Sequence, residues 1–125
     1  MAKRVLLAED EPNIVESLVF LLERAGFDVA SEMNGQAALD AALADPPDVM
    51  ILDVMLPGLD GFEILRRLRA DRGCQDLPVL MLTAKGQRED REAALDGGAN
   101  LFITKPFSNS AVIAAVTRLA EGDRK

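Results

Sequence analysis

Apolar residues along the chain fall into two spacings. Unbroken apolar runs cover 5–8, 49–52, 79–82 and 101–103, and residues spaced as on one helix face follow them. After the first run come Glu9, Asp10 and Glu11, then Pro12, which suits a first helical turn because no partner awaits an N–H there. Ile14, Leu18, Leu21, Leu22 and Ala25 repeat at helical spacing, and Gly26 stops the helix. Phe27, Val29 and Ser31 alternate with Asp28 and Ala30, as in an edge strand. Asn34-Gly35 turns into an alanine-rich helix that ends before Pro46-Pro47. Asp60-Gly61 opens a third helix with Phe62, Leu65 and Leu68 inward. A fourth helix is predicted over 87–96, closed by Gly97-Gly98. Phe107 is predicted to begin the last helix, with Val112, Ala115, Val116 and Leu119 inward.

Five strand–helix repeats imply parallel pairing, because a helical crossover returns the chain to the same end of the sheet. Continuously apolar strands imply a sheet covered on both faces. The predicted fold is α/β: a doubly wound, five-stranded parallel sheet with five helices in three layers. Ligands in such sheets bind outside the carboxyl ends of the strands. The 87–96 helix is weakly amphipathic. Residues 87–92 are all polar, so little area is buried and the helix is expected to shift easily, although an ordinary solvated helix has the same pattern.

At 125 residues the chain is sized for one domain over 1–125, with a core of about 4–120 and no output domain. Met1 and the short tail favour a complete small protein. A net charge of −7, from 21 acids against 14 bases, argues against a nucleic-acid partner and against anionic lipid. No apolar stretch approaches the ~18 residues that span a bilayer, and no signal peptide precedes the first strand. Cys74, the single cysteine, is expected as a free thiol in a surface loop and fits a reducing cytoplasm. The absence of histidine excludes histidine catalysis and histidine metal ligation.

The residues just after the strands carry the chemistry. Glu9 and Asp10 follow the first, Asp53 the third, Thr83 the fourth, and Thr104, Lys105 and Pro106 the fifth. The fold brings these ends to one sheet edge. Clustered carboxylates repel one another, and a hard divalent cation such as Mg²⁺ (or Mn²⁺) relieves that repulsion through oxygen ligands. Asp53 then qualifies as a nucleophile that forms an acyl phosphate. Lys105 and a hydroxyl on Thr83 are suited to charge that builds on a transferring phosphoryl group. Each residue alone is more simply read as a helix cap, a turn residue or a solvated charge. Five such residues at the ends of four strands are not.

With these motifs the chain resembles the response-regulator receiver family, from about Arg4 to Leu119. The carrying segments are Val5-Leu6-Leu7-Ala8-Glu9-Asp10-Glu11, Asp48 through Gly61 with Asp53 and Pro57 inside it, Pro78 through Ala84, and Gly97-Gly98-Ala99 through Phe107. The resemblance implies that Asp53 is the phosphoacceptor. It implies that Glu9, Asp10, Asp53 and the Met55 backbone carbonyl ligate Mg²⁺. Lys105 would pair with the phosphoryl group, Thr83 would turn toward it, and Phe102 would move into the space that Thr83 leaves. The Lys105-Pro106 bond would be cis. Met55 and Lys85 would flank the route of hydrolytic water and tune phosphoryl lifetime. Glu9 stands where the family more often has aspartate, and Phe102 where it often has tyrosine. Asn100 and Leu101 replace acids common in DNA-binding members that dimerise through the fourth helix, fifth strand and fifth helix.

The function so implied is a cytoplasmic phosphorelay switch. A sensor histidine kinase or a histidine phosphotransfer protein would donate to Asp53. The surface of fourth helix, fifth strand and fifth helix would then change for a downstream target protein, with the polar run 89–92 as its docking place. Enzymatic activity would extend only to the domain's own phosphorylation and dephosphorylation. A phosphorylation-independent interaction module on the same fold is the alternative, and it would be expected to lack a site residue. A phosphatase of the haloacid dehalogenase type wants a second aspartate two residues after the nucleophile, where this chain has Met55. No glycine-rich phosphate loop supports nucleotide binding.

Overall fold

The computed structural model describes residues 2–83, 92 and 95–122. Five strands, β1 (Arg4–Ala8), β2 (Asp28–Glu32), β3 (Val49–Asp53), β4 (Val79–Thr83) and β5 (Leu101–Thr104), form one sheet of order β2-β1-β3-β4-β5. All pairings are parallel. The described residues hold four helices: α1 (Pro12–Arg24), α2 (Gly35–Ala44), α3 (Gly61–Ala70) and α4 (Asn109–Ala120). Of the predicted 87–96 helix, only Glu92, Leu95 and Asp96 are described, and they are helical. Lys85 and the docking run at Glu89, Asp90 and Arg91 lie outside the described residues.

Alternation along the strands divides the core. Leu6, Ala8, Met50 and Leu52 face α2 and α3, meeting Ala38, Leu39, Ile64, Leu65 and Leu68. Val5, Leu7, Val49 and Ile51 face α1 and α4, meeting Leu18, Leu22, Val112, Val116 and Leu119. The chain winds in opposite directions away from β1 and β3. The crevice at their carboxyl ends is therefore the topological switch point, where side chains from both halves converge.

Local signals fix the helix starts. Pro12 occupies the first turn of α1. Asn34 caps α2, its Oδ1 accepting the N–H groups of Gln36 and Ala37, and Asp60 caps α3 through the N–H of Glu63. Two expectations, for Phe107 and Cys74, are corrected. The last helix does not begin at Phe107: Ser108 is its cap, Oγ accepting from the Ala111 N–H, and Phe107 instead packs on the core. Ala25 is exposed, because it closes α1 just before the chain turns at Gly26, whose φ is +100°. Cys74 is fully buried rather than on the surface: the loop after α3 turns its Sγ inward, 3.5 Å from the Ala42 carbonyl of α2. Burial pushes that thiol's pKa up, and the Asp71 charge adds to it. No helix among the described residues is long and apolar enough to cross a membrane.

Candidate active site

Glu9 leaves β1 with its N–H bonded to the Glu32 carbonyl of β2 (3.1 Å). Its side chain is fully buried, and Oε2 accepts the N–H of Glu11, the cap residue of α1, at 3.0 Å. A carboxylate is favoured there because the first N–H groups of a helix have no partner within it. Asp53 closes β3, is 3% exposed, and accepts the Met55 N–H on Oδ1 at 3.2 Å. One carboxylate oxygen from each of Glu9, the more accessible Asp10, and Asp53 lies within 4.8 Å of the others.

Lys105, just after β5, reaches into this cluster. Its Nζ donates to Asp53 Oδ2 at 3.0 Å and lies 3.1 Å from Glu9 Oε1. Its own N–H donates to the Thr83 carbonyl at 2.8 Å, which ties the lysine to the end of β4. The Lys105–Pro106 peptide is cis. Burial raises the pKa of Glu9, and the Asp53 charge adds to this, while the Glu11 N–H and Lys105 oppose it. For Lys105, burial disfavours the charged form. The hydrogen bond and charge of Asp53, joined by Glu9, outweigh burial and leave its pKa raised. The ammonium is therefore secure at neutral pH.

Glu9 Oε1 is buried and has the ion pair with Lys105 but no well-angled hydrogen bond. Three carboxylates against one ammonium leave two negative charges uncompensated when all are ionised. The donor set is all oxygen, and clustered carboxylates that one ammonium does not neutralise repel one another. These residues fit a hard divalent cation of the Mg²⁺ kind.

The remaining predicted residues are placed as follows. Thr83 ends β4, 1% exposed, and its Oγ1 makes no hydrogen bond among the described residues. Phe102, half-buried, stands beside Met81 in register and packs against the core on the α2–α3 side. Met55 is 70% exposed next to the cluster. Asn100 accepts the Val79 N–H at 2.8 Å and Arg69 Nη2 at 3.1 Å. Arg69, from α3, also donates to the carbonyls of Gly98 (2.8 Å) and Cys74 (3.0 Å). Sequence reading missed this crossbeam, since nothing in a helical arginine announces partners 29 and 31 residues away.

Comparison with known proteins agrees with this fold. The family model described as "Response regulator receiver domain" matches residues 5–117. The chain belongs to the response regulator receiver domain family. Over 116 residues this receiver domain is 44% identical to the alkaline phosphatase synthesis transcriptional regulatory protein PhoP of Bacillus subtilis (strain 168), covering 93% of this chain and 48% of that protein. The chain spans about half the length of the curated relatives it matches. Among solved structures, the Francisella response regulator 1452 receiver domain superposes with a TM-score of 0.88 at 31% identity, covering 95% of this chain and 97% of that one. The receiver domain of sensor histidine kinase PA1611 from Pseudomonas aeruginosa PAO1 superposes with a TM-score of 0.84 at 29% identity, covering 98% of this chain and 100% of that one. That structure has a magnesium ion coordinated in its active site cleft. The fold is thus the flavodoxin-like receiver fold, and the chain is a receiver of the two-component signalling type.

Proposed function

We propose that Asp53 is the phosphoacceptor and that Glu9, Asp10, Asp53 and the Met55 backbone carbonyl hold Mg²⁺ (or Mn²⁺). The observation that carries this reading is the position of Asp53: nearly buried, one oxygen on Lys105 and the other on the Met55 amide, inside a cluster of three carboxylates. The donor is a phosphohistidine of a sensor histidine kinase or histidine phosphotransfer protein, since this chain has no histidine. An Asp53 carboxylate oxygen attacks phosphorus, the P–N bond breaks, and its electron pair stays on the partner's imidazole. The metal, when bound, supplies positive charge against the phosphoryl oxygens. Lys105 keeps its proton and turns from Asp53 to a phosphoryl oxygen, as a preorganised donor does.

Output is a population shift. Phosphorylation adds roughly two negative charges. Thr83, whose hydroxyl makes no hydrogen bond among the described residues, turns to that charge, and Phe102 follows into the space. A cytoplasmic target protein that prefers the resulting surface near β5 and α4 biases the equilibrium by its differential affinity. Met55 and Lys85 set the lifetime through access of water, a role supported for Met55 by its exposure.

Intact mass after incubation with acetyl phosphate, with and without Mg²⁺, tests the reading. A metal-dependent gain of one phosphoryl group is expected in wild type and none in Asp53→Asn, and the decay of the gain gives the lifetime. No gain in a folded wild type would overturn the reading and leave the interaction module.

A further inference from the structure

Residues 54–60 join Asp53 to α3 and carry the Met55 amide that holds Asp53 Oδ1. This loop is gripped by the first turns of two helices, and at both grips the residue is glycine. At its exit, the Gly61 N–H donates to the Val54 carbonyl at 2.8 Å. A Cβ on Gly61 would lie 2.5 Å from the Asp53 carbonyl oxygen and 2.8 Å from Val54 Cα. At its far side, the Gly35 N–H, from the start of α2, donates to the Pro57 carbonyl at 2.8 Å. A Cβ on Gly35 would lie 1.8 Å from the Leu59 carbonyl oxygen and 2.7 Å from its carbon. Beside it, the Asn34 side chain that caps α2 packs on Gly58. That glycine has a φ of +87°, and a Cβ there would meet Asn34 Nδ2 at 2.7 Å.

The three atoms nearest an added methyl on Gly35 all belong to the Leu59 backbone, so the closest clash is not with a flexible side chain that can yield. One of the two partners must move. Ala38, Leu39 and Ala42 seat α2 in the core with at most 2% exposure, whereas the loop is held less evenly: Val54 and Leu56 are buried and Leu59 partly so, but Met55, Pro57 and Gly58 are exposed. The loop is the softer partner. A displacement there passes directly to the Met55 backbone, and a misplacement of about 1 Å far from the chemistry can cost roughly 100-fold in rate.

We propose that Asn34 and Gly35 form a positioning element of the active site: from α2, without touching the carboxylates, they set residues 54–60 and thereby the Met55 backbone. The inference rests on the reading of this cluster as a metal-dependent phosphoacceptor site. Gly35→Ala is then expected to weaken Mg²⁺ binding about tenfold, the loss typical when an outer partner of a metal site is changed.

The test is a Mg²⁺ titration of the full chain followed by the Met55 amide signal in NMR, in wild type, Gly35→Ala and Leu39→Ala. Leu39→Ala removes α2 core packing without pressing on the loop. Weakened Mg²⁺ binding in Gly35→Ala, with wild-type affinity in a folded Leu39→Ala, supports the inference. Wild-type affinity in Gly35→Ala, or an equal loss in Leu39→Ala, overturns it. If Gly35→Ala does not fold, Asn34→Ala carries the same comparison, with a smaller loss of affinity expected and an unchanged affinity overturning the inference. A wild-type chain whose Met55 signal ignores Mg²⁺ refutes the metal reading itself, and the inference falls with it.

Discussion

The two flanks of the crevice are built differently. On the β1–β3 flank, the two buried carboxylates are tied to backbone, Glu9 to the Glu11 amide and Asp53 to the Met55 amide, and the loop after Asp53 is held by Gly35 and Gly61. On the β4–β5 flank, the Thr83 hydroxyl makes no hydrogen bond among the described residues, and β5 is only partly buried, whereas β3 and β4 are buried throughout. The difference teaches a division of labour. On the proposed reading, groups that meet a phosphorus atom are fixed before it arrives. On that reading β5, which carries Phe102, is where movement costs less, because less of its area is buried.

Lys105 crosses between the flanks, so its removal gives the largest expected effect. Lys105→Met is expected to slow phosphorylation by acetyl phosphate about 100-fold, the usual scale for losing one preorganised donor. A rate equal to wild type would show that the lysine only balances charge. The next effect compares register neighbours. Leu80, fully buried in β4, lies beside half-buried Leu101 of β5. Leu80→Ala is expected to cost about 2–5 kcal/mol of unfolding free energy and Leu101→Ala about half as much. Equal losses in urea denaturation would erase the contrast between buried β4 and partly buried β5. The smallest effect lies away from both. Glu63, on the surface of α3, is held at a pKa of about 2 by hydrogen bonds from Arg66 and then Arg67, below its ordinary 4.5. Its folded value is depressed, so its stabilisation is present above pH 4.5 and fades as pH falls toward 2. Such exposed pairs are screened by salt. An NMR titration in low salt should place its midpoint near 2. A midpoint at the ordinary value would show that the arginines do not hold it.

The fold was legible where one physical signal dominated. Residues 5–8 in β1, 49–52 in β3 and 79–82 in β4 are unbroken apolar runs because both faces are covered, and Asn34, Asp60 and Pro12 mark helix starts by their own chemistry. The strand-end residues were legible because topology alone carries Glu9, Asp53 and Lys105 to one edge. Cys74 misled because its neighbours are polar, and a polar loop can still turn one side chain inward. Phe107 misled because an aromatic residue before a helix resembles its first apolar position, whereas Ser108 makes the cap. Sequence context marks Gly35 as a turn residue and Gly61 as a helix start. Their close approach to the 54–60 backbone depends on how α2 and α3 sit, which no local pattern encodes.

The inward turn of Cys74 has a practical side. A thiol that is buried and pushed up in pKa is a poor nucleophile, because the thiolate is the species that reacts. The chain also has no tryptophan and no tyrosine. In labelling and optical work it therefore behaves as a nearly blank background, on which one introduced cysteine or tryptophan would report alone.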